Sequence, residues 1–246
     1  MKKIVPILLV LLFVFNLKVK AQTGNMIVFY KKEFTKKTFV ENKDNKPAFN
    51  KFKKIEEKII NLMRKIEYKL KIKEGSSNFK VINSLIFEEN IYAKAAVIPE
   101  GTGQYYNTKN IRLSEFNIFG EDFLISNEQL NWELKNETKK IGNYLCYKAI
   151  AIEKKMYRGK MKEYPITAWY SPEINVSFGP VGISGLPGLI LEVNKGKIRF
   201  TATKINLNTK EKIKIERPTK GKKVTEKEMN EMISEAMGNF KKNKGL

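Results

Sequence analysis

The chain has no histidine among its 246 residues. That absence removes Ser-His-Asp and Cys-His catalysis, the zinc-peptidase motifs and every histidine-ligated metal or haem site. Cysteine occurs once, at Cys146. One thiol cannot form an internal disulfide, nor hold a structural zinc or an iron–sulfur cluster. No Gly-x-x-x-x-Gly-Lys run and no Gly-x-Gly-x-x-Gly fingerprint is present, so the common phosphate and dinucleotide loops are missing too. Arginine is scarce: Arg64, Arg112, Arg158, Arg199 and Arg217 stand against a total of 47 basic residues. After the first fifteen residues no apolar run is long enough to cross a membrane. The run at Leu189–Val193 is interrupted by Glu192 and has the length of a strand. No cofactor is expected from such a composition.

What is present begins with the N-terminus. Lys2 and Lys3 precede an apolar run from Ile4 to Phe15, and Val19-Lys20-Ala21 offers small residues before Gln22. This is the pattern of a cleavable signal peptide over residues 1–21, followed by one domain over residues 22–246. No cysteine follows the apolar run, so no lipoprotein anchor is expected at the cut. The expected location is secreted or periplasmic. There an unpaired cysteine is either a reactive thiol or a small buried hydrophobe, and the strand-like flank Tyr144–Ala149 favours burial.

The formal charge is +21, nearly all from lysine. Planar, two-pronged arginine is the residue that phosphate and base recognition prefers. A lysine excess therefore points to biased composition and solubility, with a selected anionic partner such as a membrane surface or acidic glycan as the alternative, and no nucleic-acid partner is expected. Apolar residues make up 42% of the chain, enough for one sizeable core.

The hydrophobic pattern reads as α+β. Met26–Phe34 is a first strand. Pro47 opens a helix in which Phe49, Phe52, Ile55, Ile59, Met63, Ile66 and Leu70 share one face. From Phe79 the pattern becomes β: Phe79–Phe87, Ile91–Ile98, Tyr105–Leu113, Glu121–Ile125, Trp132–Thr138, Tyr144–Lys154, Tyr164–Tyr170, then a hairpin of Leu189–Val193 with Lys197–Leu207. Thr225-Glu226-Lys227-Glu228 is a capping box that starts a last helix. The expected architecture is a curved antiparallel sheet, a half-barrel-like meander, with a long N-terminal and a C-terminal helix.

Two chemistries survive the missing histidines. Ser77-Asn78-Phe79-Lys80 matches Ser-x-x-Lys but lacks companion motifs. A pair of carboxylates is the other route, with Glu121, Asp122, Glu163 and Glu173 as candidates that spacing cannot pair. The loop from Ser171 to Gly188 stands out for its glycine and proline. Pro187-Gly188 suits the centre of a type II turn feeding the strand Leu189–Leu191. It is either a sharp corner entering the sheet or a rigid lip of a cleft.

Gly185-Leu186-Pro187-Gly188-Leu189-Ile190 resembles the signature of the GLPGLI family of exported Bacteroidetes proteins. Trp169-Tyr170, Ile174 and Gly179-Pro180 match upstream of it. Trp132, Lys140-Ile141, Gly142, Tyr144, Cys146 and Lys148-Ala149 match further back, and Ile150 departs where threonine is expected. The resemblance implies a secreted or periplasmic protein and supplies no catalytic assignment. The residues expected to line a binding cleft are Trp169, Tyr170, Gly179, Pro180, Gly185, Leu186, Pro187 and Gly188. The expected activity is non-enzymatic binding of an envelope or outer-membrane protein partner or a lipid-like ligand. The alternative is a carboxylate-dependent enzyme acting on cell-wall or glycan substrates.

Overall fold

A computed structural model describes residues 24–35, 47–82, 90–101, 103–118, 120–157 and 160–243. The leader expected at 1–21, and residues 83–87 of the strand expected over Phe79–Phe87, lie outside the described residues. Among the described residues the sheet comprises twelve strands: β1 (Met26–Phe34), β2 (Glu67–Lys73), β3 (Ser76–Val81), β4 (Gln104–Asn107), β5 (Arg112–Ile118), β6 (Glu121–Ser126), β7 (Glu133–Ile141), β8 (Tyr144–Tyr157), β9 (Lys160–Ser171), β10 (Leu189–Lys195), β11 (Ile198–Asn206) and β12 (Lys222–Thr225). Their spatial order is β12-β6-β5-β4-β3-β2-β1-β11-β10-β9-β8-β7. The helices among the described residues are α1 (Pro47–Met63), α2 (Ile91–Gly101) and α3 (Glu226–Asn243).

The class is α+β, but the curved half-barrel meander is not what forms. The sheet is open, with β12 and β7 as its two edges. Nor is it a simple meander, since β1 pairs with β11 as well as β2, and β12 adds to β6 in parallel. The reason lies in β1. Met26, Ile27, Val28 and Tyr30 are all buried, so this strand hides both faces and belongs at the centre of the sheet.

Three elements differ from the sequence reading. The first helix stops at Met63, where Ile66 N donates to Met63 O at 3.2 Å, and the chain continues as β2. Ile66 and Leu70 fit a helical stripe, yet Tyr68, Leu70 and Ile72 also alternate and are buried at 0%, 0% and 3% exposure. The two-residue period wins because β2 lies between β1 and β3, where both neighbours satisfy its backbone. Ile91–Gly101 is a helix rather than a strand: Asn90 Oδ1 caps it by accepting from Tyr92 N at 3.0 Å and Ala93 N at 3.3 Å, and Ala93, Ala95 and Ala96 favour it. The stretch Tyr105–Leu113 is split into β4 and β5 by a turn in which Thr108 N donates to Ile111 O at 2.9 Å.

An aromatic group fills the central core. Tyr68 stacks on Phe79 at 5.7 Å between centroids, Phe200 meets both rings edge-on, and Tyr30 donates its hydroxyl to Ile190 O at 2.7 Å. Burial pushes the Tyr30 and Tyr68 hydroxyls far above their ordinary values. A separate, smaller cluster of Phe123, Ile125, Val224 and Met229 fastens β12 and α3 to β6. The capping box forms as read: Glu228 N donates to Thr225 Oγ1 at 3.2 Å, and Thr225 N to Glu228 Oε2 at 2.7 Å. It fixes the start of α3, which packs on both β6 and β8. Residues far apart in strand order thereby come together beside this helix.

Candidate functional site

Beside α3 lies a cleft of about 250 Å³. Its walls come from β5 (Arg112, Ser114, Phe116, Ile118), β8 (Glu153), the end of β10 (Lys195), the 3-10 turn Pro180–Gly182, and α3 (Glu226, Met229, Asn230, Ile233). The floor is mixed, with aromatic and aliphatic groups beside amides and charges. The volume falls below the roughly 300 Å³ at which drug-sized pockets begin, so it suits one ring or a terminal group rather than a long chain.

Arg112 is the most constrained member. It is 8% exposed. Its Nε donates to Gly182 O at 3.0 Å, and its Nη1 donates to Glu128 O. Burial pushes the guanidinium below its ordinary pKa, against the attraction of Glu226 and then of Glu153. Across the cleft Lys195 Nζ lies 3.0 Å from Glu153 Oε1, and both side chains are nearly buried. Asn127 braces the β5 wall by donating Nδ2 to Ser114 Oγ at 3.0 Å and to Ile125 O at 3.3 Å. Glu226 and Asn230 also face a smaller adjoining hollow of about 170 Å³ with Glu128, Lys154 and Glu231.

The eight residues expected to line a cleft are distributed differently. Trp169 and Tyr170 are neighbours on β9 and so face opposite sides of the sheet. The Trp169 ring carries Lys139 Nζ at 4.4 Å, and Lys139 in turn pairs with the buried Glu192 at 2.8 Å. Tyr170 is 6% exposed and packs near Tyr147. Gly179, Pro180, Leu186 and Gly188 are buried, whereas Gly185 and Pro187 are exposed. A Cβ on Gly179 would lie 2.6 Å from Ile190 Cβ, and one on Gly188 2.2 Å from Ser171 O. These glycines let the loop lie directly on β9 and β10. The corner is not a type II turn: Gly188 N donates to Leu186 O at 2.9 Å, while Leu189 N is taken by Ile174 O at 2.9 Å. Gly185 borders a second, wider hollow of about 640 Å³ with Thr108, Asn175, Ser177 and Phe178. None of the eight lines the cleft around Arg112, although Val181 and Gly182 of the same loop do.

The other sequence candidates separate. All four carboxylates are exposed: Glu121 and Asp122 are neighbours on β6, where Asp122 accepts from Asn117 at 2.7 Å, Glu163 is 3.5 Å from Lys154, and Glu173 accepts from Leu145 N at 3.2 Å. Ser77 is fully buried and Lys80 exposed, because positions three apart on β3 face opposite ways. No Ser-Lys pair can form there. Cys146 is buried, and burial pushes its thiol up to about 11, which leaves no thiolate nucleophile near neutral pH. Among the described residues no group of three or more acidic or cysteine side chains could hold a metal, and no helix is long and apolar enough to cross a membrane.

Sequence reasoning missed Arg112, Glu153, Lys195 and Glu226. Only the rarity of arginine marked Arg112, and nothing in local spacing linked it to glutamates 41 and 114 positions away.

A family model described as a protein of unknown function (Porph_ging) matches residues 132–162 and 153–192. That region contains Trp132, Trp169 and the Gly185–Ile190 motif. No curated protein matches. Among solved structures, PNGF-II in two crystal forms is similar at 16% identity and a TM-score of 0.44, covering 86% of this chain. The match takes in 33% and 32% of those chains, so this chain spans about a third of PNGF-II. An uncharacterized conserved protein from Thermus thermophilus is similar at 6% identity and a TM-score of 0.32, with 82% of this chain and 91% of that one covered.

Proposed function

We propose that the chain is exported to the cell envelope and acts there on a cell-wall or glycan fragment, with Glu153 and Glu226 as the working carboxylates. One observation carries this reading. Two glutamates from distant parts of the sequence, on β8 and at the start of α3, line one small cleft beside a buried arginine. Hydrolysis of a glycosidic or similar bond needs a carboxylate that stays charged and a second group that gives up a proton. Lys195 at 3.0 Å stabilises the charged form of Glu153, which suits a base or nucleophile. Glu226, on the first turn of α3 and facing the same cleft, is the second carboxylate of the pair. Phe116, Met229 and Ile233 give the cleft an apolar wall for the rest of the ligand.

A second reading, binding without turnover, is favoured by the same Lys195–Glu153 pair, since a carboxylate held by lysine is also a common structural element. Release of reducing ends or stem peptides from purified envelope glycans separates the two. The enzyme reading expects turnover by the wild type and a loss of at least about 100-fold in both Glu153→Gln and Glu226→Gln. Retention of fragments by the wild type with no release in any condition leaves only binding. Export is checked on the native chain, whose mass is expected to correspond to a start at Gln22.

A further inference from the structure

Arg112 is held in a way that leaves one job undone. Two of its three guanidinium nitrogens are tied to backbone oxygens, Nε to Gly182 and Nη1 to Glu128. Those acceptors are neutral. They fix the plane of the group without cancelling its charge. The third nitrogen, Nη2, donates to no acceptor among the described residues. The side chain is nevertheless 8% exposed and lines the cleft. Burial already works against its charge, and only the more distant fields of Glu226 and Glu153 oppose that. Glu153 is meanwhile engaged by Lys195. A guanidinium oriented so firmly, short of water and short of a direct counter-ion, is prepared for an anionic group brought by the ligand.

We infer that Arg112 anchors a carboxylate on the ligand, so that the cleft selects acids over their neutral counterparts; this rests on the cleft being the site proposed above. The open nitrogen offers a charge-assisted N–H to one oxygen of a carboxylate. The four charged side chains of the lining, Arg112, Lys195, Glu153 and Glu226, cancel one another. The cleft therefore has no excess positive field to hold a dianion, and its two glutamates repel a phosphate more strongly than a singly charged carboxylate. Phe116, Met229 and Ile233 supply an apolar wall for the rest of the molecule, and Asn230 an amide. An acidic sugar and the carboxylate end of a peptide share this chemistry.

The test titrates the full chain with sodium glucuronate and with N-acetylalanine, each beside its methyl ester, and follows binding by calorimetry and by amide NMR shifts. The expected result is that at least one acid binds and its ester binds at least ten-fold more weakly. Glucuronate alone identifies the sugar source and N-acetylalanine alone the peptide source. Arg112→Lys keeps the charge and loses the planar group that the two carbonyls orient, and is expected to weaken the acid at least ten-fold. Ile233→Trp fills the cleft from its exposed rim without touching the anchors of Arg112, and is expected to abolish binding in a chain that remains folded. Esters that bind as well as acids overturn the inference. So does acid binding that survives Ile233→Trp, which would place it on surface lysines, and so does the failure of both acids to bind. Turnover is scored apart. An acid that binds through Arg112 and is never turned over sinks the hydrolytic reading and keeps the anchor. Turnover of neutral fragments without preference for acids does the reverse.

Discussion

At the scale of single residues, the structure separates groups that sequence could only name together. Arg112 and Arg199 are both arginines on strands, but Arg199 is 40% exposed and pairs with Glu33 at 3.2 Å, an ordinary surface contact. Arg112 instead supplies hydrogen bonds that two inward backbone carbonyls depend on. Arg112→Ala is expected to destabilise the fold by about 1–3 kcal/mol, the cost of leaving buried acceptors unpaired, measured by urea denaturation. Cys146 makes the opposite case, a chemically capable group kept inert. Its thiol is raised from 9.0 to about 11, first by burial. A group whose folded pKa is raised contributes its stability fully below the unfolded value and loses it as pH climbs through the folded one. The prediction is a thiol that resists Ellman's reagent at pH 8 until urea is added, and a native state that weakens between about pH 9 and pH 11. Cys146→Ala should lose less stability over this window than the wild type, the remaining loss coming from the buried Tyr30 and Tyr68 hydroxyls, which are raised in the same sense. Rapid labelling of the native chain at pH 8 would contradict this.

At the scale of elements, legibility followed whether one pattern or two could fit the same residues. Met26–Phe34 and the capping box at Thr225 were readable because burial and local hydrogen bonding agree there. The end of α1 was not, because Ile66 and Leu70 satisfy both a helical stripe and the alternation of β2, and the decision comes from partners on β1 and β3. Ile91–Ile98 was misread for a related reason: its hydrophobicity fits a strand, while the Asn90 cap and three alanines select the helix. The site suffered most. A cleft whose walls come from β5, β8, β10, α3 and one turn leaves no local trace. The glycine-rich loop did announce itself, but Gly179 and Gly188 are explained by close packing and Gly185 by its positive φ of 95°. Gly188→Ala would set a Cβ 2.2 Å from Ser171 O, an atom of the backbone that cannot swing aside. A loss of about 2–3 kcal/mol is expected on chemical denaturation. Gly75→Ala is the control: its Cβ would meet nothing within 4 Å, so only its positive φ of 70° would register. Equal losses in the two variants would refute the packing explanation.

At the scale of the whole molecule, the two hydrophobic clusters set where the fold should give way first. The large cluster joins β1, β2, β3 and the β9–β11 region through fully buried rings such as Tyr30, Tyr68 and Phe200. The small one, of Phe123, Ile125, Val224 and Met229, holds the four-residue strand β12 and the start of α3. Apolar burial of that size stabilises far less, at roughly 25 cal/mol per Å² removed from water, and β12 has one strand neighbour where β1 has two. Local opening should therefore release β12 and α3 while the central strands stay paired. Hydrogen exchange is expected to show amides of Lys222–Thr225 and of α3 exchanging well before those of β1, β2 and β11. Because Glu226, Met229, Asn230 and Ile233 form one wall of the cleft, the same opening would dismantle the site. A ligand bound there must then slow exchange in β12 and α3 selectively, since it adds stability only to the closed form. Uniform protection across the sheet, or exchange of α3 as slow as that of β1, would show that the helix belongs to the central core and that the cleft does not open with it.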